Sequence, residues 1–141
     1  MNSISRPTAR PPRFGLAPLV SRSNIELGKW GEQLAESQLV KAGAKVLERN
    51  YRFEPGEIDL LIEHDGDLVA VEVKTRTDLD LETPEEAVTR WKMRRMILGL
   101  QTYAAANDML EWHWRLDVVA VEVGLDGSVR RCEHIRDAYL G

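Results

Sequence analysis

Two acidic residues and a lysine flank a strong turn signal, and they are the residues in this chain best suited to chemistry. The dipeptide Asp65-Gly66 is typical of a two-residue hairpin turn. With that turn, Asp59 is predicted to lie opposite Glu72, and Glu57 opposite Lys74. Facing residues have Cβ atoms roughly 4.5–5.5 Å apart, and like charges at that distance destabilise a sheet. Two facing carboxylates therefore predict a cation between them.

A hard divalent cation suits this position. Mg²⁺ binds oxygen ligands and commonly uses one or two carboxylates together with water and phosphate oxygens. The Lys74 ammonium beside such an ion would hold or deprotonate an attacking water, or stabilise charge developing on a phosphate. The same spacing is compatible with a solvated sheet face on which Glu57 and Lys74 form an ordinary salt bridge, and a bulged turn would shift the register. The spacing alone leaves both interpretations open.

The apolar pattern predicts the elements that must position this hairpin. One helix is expected from Glu26 to Ala42, and Gly43 ends it. A second is expected from the capping box Thr83-Pro84-Glu85-Glu86 to about Ala106. Its buried side is expected to carry Val88, Trp91, Met96 and Tyr103. Strands are expected over Lys45 to Phe53, Glu57 to His64, Asp67 to Thr75, Trp114 to Val123 and Val129 to Ile135. This order indicates a mixed α/β or α+β domain, a sheet with helices packed on it.

Composition limits the class of protein. The 141 residues are enough for one sizeable core. No apolar run approaches the roughly 18 to 20 residues of a membrane span, so no membrane contact is expected. The single cysteine, Cys132, excludes an internal disulfide and an all-cysteine zinc site. The sequence shows no secretory signal, which indicates a cytoplasmic protein.

Charge is unevenly distributed along the chain. Residues 1–24 contain four arginines, four of the six prolines and no acidic residue, which is typical of a flexible basic tail. A basic arm that holds a phosphate backbone is the functional alternative. Residues 25–141 are expected to form a single domain, which is acidic with a net charge of −8. Because the pI is near 5.4, the protein does not coat nucleic acid by charge alone, and any such contact must be local.

Several ordered motifs together resemble a known family. Asp59, twelve intervening residues and then Glu72-Val73-Lys74 resemble the PD-(D/E)xK signature of the restriction-endonuclease-like superfamily, with Ile58 in place of its proline. More closely, the chain resembles the YraN family of uncharacterised endonuclease-like proteins, which is related to archaeal Holliday-junction resolvases. The matching stretches are Gly28 to Ala35, Asn50 to Arg52, Gly56 to Ile62, Val71 to Arg76, Glu86 to Val88 with Lys92, and Arg115 to Val119.

The resemblance implies a fold and roles for individual residues. It implies a restriction-endonuclease-like α/β fold, a central mixed β-sheet flanked by α-helices. Asp59 and Glu72 would be metal ligands and Lys74 the catalytic lysine, with Glu32 of the first helix as a further acid and metal ligand. Taken from the helix pattern alone, Glu32 is a solvated residue at the edge of the apolar stripe. Lys92 lies inside the second stripe, where it is either a second basic group at a phosphate site or a snorkelling lysine.

Other polar and aromatic residues have a structural interpretation. Asp117 interrupts an apolar strand, and a buried carboxylate there needs a partner such as Arg115, Arg76 or a backbone group. Trp112 and Trp114 are expected in the core or at an interface. The basic residues Arg90, Lys92, Arg94 and Arg95 are interpreted as a solvated helix face, with contact to DNA phosphates as the alternative.

These observations lead to one functional hypothesis and one rival. The chain is expected to bind nucleic acid, with DNA favoured, and to hydrolyse phosphodiester bonds with Mg²⁺, for which Mn²⁺ can substitute. Branched or single-stranded DNA is suggested by analogy with the related resolvases. The rival is a catalytically silent adaptor or protein-interaction domain on the same fold, which the acidic body favours. A homodimer is compatible with either.

Overall fold

A five-stranded mixed sheet forms the centre of the structure, a computed structural model that describes residues 24–139. The basic tail predicted for residues 1–24 lies outside the described residues except at its last position. The elements are α1 (Asn24–Lys41), β1 (Lys45–Phe53), β2 (Gly56–His64), β3 (Asp67–Thr77), α2 (Arg90–Ala106), β4 (Trp114–Val123) and β5 (Val129–Ile135). The strands lie in the order β1-β2-β3-β4-β5, and only the β3–β4 pair is parallel. The sequence-based element order is thereby confirmed.

The two helices cover opposite faces of the sheet. The cluster on the α1 face includes Trp30, Leu34, Leu60, Ile62, Val71 and Val119. The cluster on the α2 face includes Ile58, Leu61, Leu68, Met96, Leu100 and Tyr103. The predicted arrangement of a mixed sheet flanked by helices is therefore confirmed. Within residues 24–139 no helix has the length and apolar character needed to cross a membrane.

The hairpin between β2 and β3 has the predicted turn and register, but its ladder is shorter than expected. Asp65 and Gly66 both have positive φ, 52° and 82°, as a type I′ turn requires. Pairing starts at His64↔Asp67 and stops at Leu60↔Val71. The expectation that Asp59–Glu72 and Glu57–Lys74 continue this ladder was wrong. Glu57 pairs with Arg52 of β1, and the side chain of Asp59 accepts a hydrogen bond from the backbone N–H of Val73 on β3.

The second helix begins later than its capping signal predicts. Thr83 and Glu86 do form the reciprocal capping-box hydrogen bonds, at 2.8 and 3.1 Å, but these close only an isolated turn. The helix starts at Arg90, where the side chain of Thr89 accepts from the backbone N–H of Lys92. Met96 and Tyr103 are buried as expected, whereas Trp91 is 63% exposed and its placement in the buried stripe was wrong.

A glycine brings α1 against the sheet beside the residues of interest. A Cβ at Gly31 would lie 1.9 Å from Thr75 Oγ1 on β3, so no larger side chain fits without movement. On the other face, Gly99 of α2 lies under the Phe53 ring in the same way. These contacts set how closely each helix approaches the strands.

The Gly31 contact generates a stability prediction. Gly31→Ala should destabilise the protein by about 1–2 kcal/mol because overpacking outweighs the helical preference for alanine. In a Thr75→Ala background, which removes the clashing oxygen, the same change should be neutral or stabilising. Gly28→Ala on the same helix, where a Cβ would have no neighbour within 4 Å, should stabilise by up to about 1 kcal/mol. Urea unfolding of the four variants measures this coupling, and additive effects would contradict it.

Candidate functional site

The candidate site lies where β2 and β3 stop pairing with each other. Beyond Val71, β3 continues to pair with β4 as far as Thr77↔Val123, but its other edge no longer has a backbone partner on β2. Asp59 fills this place, since its Oδ2 accepts a 2.8 Å hydrogen bond from the backbone N–H of Val73. The carboxylate therefore lies at a gap in the sheet and is fixed by the strand that carries Glu72 and Lys74.

Glu72 is the centre of a charged cluster at this gap. It is only 6% exposed. Its Oε2 lies 3.7 Å from the Nζ of Lys74, two residues further along β3, and 3.4 Å from the Nζ of Lys92, which extends from α2. The structure thus brings together four of the five predicted site residues: Asp59, Glu72, Lys74 and Lys92.

The fifth residue, Glu32, approaches from α1 on the opposite face. It lines the same cavity as Asp59 and Glu72, and its charge acts on both of them. Its Oε1 accepts from Asn50 Nδ2 at 3.3 Å. Asn50 lies on β1 with φ +49°, a conformation that asparagine tolerates better than most residues. Glu32 therefore borders the site, and its role as a metal ligand stays a prediction.

An open cavity of about 720 Å³ gives access to these groups. Its lining includes Glu32, Asp59, Glu72, Lys74, Arg76 and Glu82. Arg76 is held in place because it donates to the Thr75 carbonyl and to Glu82, each at 2.9 Å. Among the described residues, its Nε is buried without a hydrogen-bond partner, as is the neighbouring Thr75 Oγ1, which lies against Gly31 of α1. Buried polar groups are usually paired, so this wall of the cavity contains a donor and an acceptor whose hydrogen bonds are not satisfied.

Burial works against ionisation of both carboxyl groups. Desolvation, together with the charge of Glu72, raises the pKa of Asp59 to about 8, although the Val73 N–H opposes the shift. Desolvation also raises the pKa of Glu72, against the pull of the Lys92 and Lys74 ammonium groups. Both acids would become easier to ionise if a cation were bound between them.

The site shifts the pKa values of Lys74 and Lys92 in opposite directions. Burial and the neighbouring Lys92 lower the pKa of Lys74. Burial also opposes the charge on Lys92, but the attraction of Glu72 and the other neighbours outweighs it, so the pKa of Lys92 is raised. Lys74 is therefore the ammonium that gives up its proton more readily, while Lys92 stays charged.

The donor set fits a hard divalent cation with an incomplete protein shell. Carboxylate oxygens are the ligands that Mg²⁺ prefers, and Mg²⁺ commonly uses one or two of them and keeps several waters. Among residues 24–139, no group of three or more His, Cys, Asp or Glu side chains is close enough to hold a metal ion. Asp59 and Glu72 would thus hold the ion together with water or substrate oxygens.

A second polar cluster lies in the first half of the β3–β4 ladder, where Arg115 pairs with Val69 and Asp117 with Val71. Asp117, fully buried, accepts from Arg115 at 3.0 Å and from His134 Nε2 at 2.6 Å. It also accepts from the backbone N–H of Asp137 at 3.0 Å. Burial alone would raise the pKa of Asp117, but these hydrogen bonds outweigh it and lower the pKa. Asp117 is therefore the paired structural carboxylate that the sequence indicated, with Arg115 as its partner.

Sequence reasoning missed several members of these clusters. Asn50 and Arg76 lie within the stretches that carry the family resemblance, so the motif was the available signal for them. His64 and His134, which complete the Arg115–Asp117 cluster, carry no spacing pattern that could have identified them. Trp112 and Trp114 are 36% and 38% exposed, so neither lies in the core, and the alternative of an interface stays a prediction.

A family model and the individual relatives that match this chain point to the same family. The model of the uncharacterised protein family UPF0102 matches residues 31–121. A UPF0102 protein of Roseiflexus castenholzii is 43% identical over 110 residues, covering 77% of this chain and 89% of that protein. One of Rhodococcus opacus is 42% identical over 119 residues, covering 82% and 98%. Among solved structures, SfsA of Pyrococcus furiosus in complex with Ca²⁺ has a TM-score of 0.36 and 16% identity, covering 78% of this chain and 64% of that one.

The raised pKa of Asp59 generates a pH prediction for the metal-free protein. An unfolded aspartate ionises near pH 4, so the folded state loses stability as pH rises from about 4 to about 8. Asp59→Asn removes this penalty and keeps an acceptor for the Val73 N–H. Its free energy of unfolding should exceed that of the parent by a margin that widens between pH 5 and pH 8, reaching at least about 1 kcal/mol.

A carboxylate in the same hairpin provides the matched control. Hydrogen bonds from Arg115 and His113 outweigh partial burial and lower the pKa of Asp67. Asp67→Asn should therefore destabilise the protein across the same pH range. Urea unfolding in EDTA compares the two variants, and a margin for Asp59→Asn that does not change with pH would contradict the assignment.

Proposed function

We propose that this chain, which belongs to the uncharacterised protein family UPF0102, binds DNA and hydrolyses phosphodiester bonds with Mg²⁺ at the Asp59–Glu72–Lys74 cluster. One observation carries the proposal: two carboxyl groups with raised pKa values and the Lys74 ammonium line one open polar cavity, and the Lys92 ammonium pairs with the Glu72 carboxyl group of this cluster. The resemblance of Asp59, Glu72 and Lys74 to the PD-(D/E)xK signature supports the same chemistry.

Asp59 and Glu72 would hold the metal ion. Mg²⁺, or Mn²⁺ in its place, supplies a Lewis acid for a phosphate oxygen and a more acidic water. The hydrogen bond from Val73 fixes Asp59, and the strand fixes Glu72, so the two carboxylates need little rearrangement to bind. Glu32, on the facing helix, is the proposed further acid, and it would act through a water or directly.

The lysines have different tasks in this proposal. Lys74, with its lowered pKa, positions the attacking water and accepts its proton. Lys92 remains an ammonium and binds a non-bridging phosphate oxygen, where negative charge develops during attack. Once Glu72 is shared with a metal ion, both ammonium groups are freer to face the substrate.

The wall of the cavity suits a phosphate group. Arg76 Nε is a buried donor without a partner, and the guanidinium is held by Glu82 and the Thr75 carbonyl. Because this atom is buried, an anion would reach it only if the guanidinium turned toward the cavity, which Arg76 lines. The proposed nucleic-acid contact is therefore local and does not require a basic protein surface.

A second candidate function is favoured by the ion pairs at Glu72. Both lysines already compensate this carboxylate, and the described residues offer no group of three acidic or imidazole ligands. A catalytically silent domain that binds phosphate or a protein partner would have the same charges without needing a metal. Metal dependence distinguishes the two candidates.

Cleavage assays test the catalytic proposal. Glu72→Gln and Asp59→Asn should each lower Mg²⁺-dependent cleavage of DNA by at least about 100-fold, and Lys74→Met by about 10²- to 10⁴-fold, as expected for loss of a proton acceptor. Glu63→Gln, on the other end of β2, should leave the rate unchanged. Branched, single-stranded and duplex substrates are compared. Cleavage that persists equally in every variant would overturn the proposal and indicate a contaminating nuclease.

Calorimetry tests the metal site independently of turnover. The parent protein should release or absorb heat on titration with Mg²⁺ or Mn²⁺, Glu72→Gln should not, and Glu63→Gln should bind as the parent does. Binding should strengthen as pH rises toward 8 because the cation displaces the proton favoured on Asp59. Absence of binding by the parent, both alone and with a DNA oligonucleotide, would favour the silent domain.

A further inference from the structure

An exposed tryptophan at the start of α2 forms a platform with a neighbouring arginine. Trp91 is 63% exposed, although its position in the helix pattern predicted burial. The Arg95 guanidinium lies 4.7 Å from the centre of the indole ring, close enough for a cation–π interaction. Arg95 also donates to the carbonyl of Pro55 in the β1–β2 turn. The indole is therefore supported from one side and open to solvent elsewhere; we call this pair the Trp91 platform.

The neighbours of the platform along α2 are basic, whereas the β1–β2 turn that Arg95 contacts carries Glu54, with Glu57 just beyond it on β2. The first six residues of α2 include Arg90, Lys92, Arg94 and Arg95, and the 17-residue helix contains no acidic residue. Two glutamates precede the helix, but both are engaged. Glu85 forms a salt bridge with Arg131, and Glu86 accepts from the backbone N–H of Thr83. This turn of helix thus presents positive charge on a body that is otherwise acidic.

The platform and the candidate site are linked by consecutive residues of α2. Lys92, the residue after Trp91, reaches Glu72 at 3.4 Å. With 3.6 residues per turn, consecutive helical side chains point about 100° apart, so Trp91 lies on the same turn of α2 as Lys92 but on a different side of it. A strand held at the Glu72 cluster would reach the indole by following this turn of the helix.

We propose that the Trp91 platform stacks an unpaired nucleobase next to the phosphodiester held at the site, while Arg90 and Arg94 contact the flanking phosphates. This inference rests on the proposed function, because that function supplies the phosphodiester. An exposed indole offers a π face that any unstacked base can use, whereas the base faces of a duplex are already stacked. The substrate class is therefore a nucleic acid with single-stranded nucleotides at the site.

A contact between two copies of this chain is the less favourable use of the platform. A two-fold contact would bring the basic residues of one α2 start against those of the other. With no acidic residue in the helix to compensate, such a contact would be repulsive. A polyanion, by contrast, matches both the charge and the aromatic surface.

Quenching of intrinsic fluorescence and oligonucleotide binding test the proposal. With a 20-nucleotide single strand, Trp91→Ala should lose about five- to 150-fold in affinity, the range expected when one stacked base is lost. Affinity for a duplex of the same length should change less than about twofold. Trp91→Phe should retain most of the single-strand affinity, and fluorescence quenching should decrease in this variant. Measurements are made in Mg²⁺ and again in EDTA.

The chain offers a matched control at the other end of α2. Trp112 is 36% exposed and follows the helix, so Trp112→Ala removes an exposed indole far from the site. It should leave binding to both probes unchanged. Melting temperatures of the two Trp91 variants should match the parent, since Trp91 is 63% exposed, whereas Trp112→Ala removes a more buried side chain and is compared at a temperature at which it is fully folded.

The outcomes separate this inference from the function on which it rests. Unchanged single-strand affinity in Trp91→Ala, or an equal loss for single strand and duplex, would overturn the stacking role while leaving DNA binding intact. A change of oligomeric state in Trp91→Ala, seen by light scattering with unchanged DNA affinity, would overturn it in favour of a self-contact. Failure of the parent to bind either probe would overturn the proposed function itself.

Discussion

The placement of half-buried Asp59 and buried Glu72 at the point where β2 and β3 stop pairing is the constraint around which the rest of the structure is arranged. Two carboxyl groups that have lost much of their hydration beside each other are costly unless they are protonated or compensated. Here the compensation comes from a backbone N–H of β3, from Lys74 of the same strand and from Lys92 of α2. The gap in the sheet is what allows groups from both helical layers to approach one point.

A comparison within the same molecule shows that this arrangement is not a generic way to bury an acid. Asp117 is fully buried, yet its pKa is lowered, because Arg115, His134 and a backbone N–H all donate to it. His64 is fitted to the same network: Arg115 can only donate, so His64 Nδ1 must accept and Nε2 donates to the Ala42 carbonyl. In the Asp117 cluster the charges are paired within the protein. At the candidate site the pKa values of Asp59 and Glu72 are raised, and among the described residues Arg76 Nε has no hydrogen-bond partner. Such shifted pKa values are typical of functional sites.

The sequence was sufficient for most elements because local signals decided them. Strands β1, β4 and β5 have the predicted bounds, and the turn at Asp65-Gly66 ends β2 at His64 and starts β3 at Asp67 as predicted. Local signals failed where a tertiary contact chose between alternatives. The capping box at Thr83 forms, but the helix begins only after Thr89. Trp91 faces solvent, because the next residue, Lys92, forms an ion pair with Glu72. The site residues were predicted from their spacing and from the family resemblance. The early end of the β2–β3 ladder could not be predicted in this way, because it depends on the hydrogen bond that the Asp59 side chain accepts from the Val73 N–H across the gap.

The negative charge of the body is compatible with a nucleic-acid ligand because charges on this protein act over short distances. At physiological ionic strength the screening length is about 8 Å, so exposed acidic residues elsewhere on the surface contribute little at the cavity. The cations that line the cavity are Lys74 and Arg76, beside acidic residues that include Glu32, Asp59 and Glu72, and Lys92 adds a third ammonium group through its ion pair with Glu72. The acidic remainder would instead weaken binding along the flanks of a long duplex, where no local cations compensate. On the proposed function, such a surface would favour a ligand that offers one phosphate to the site and one base to the indole, that is, a locally unpaired strand over continuous duplex.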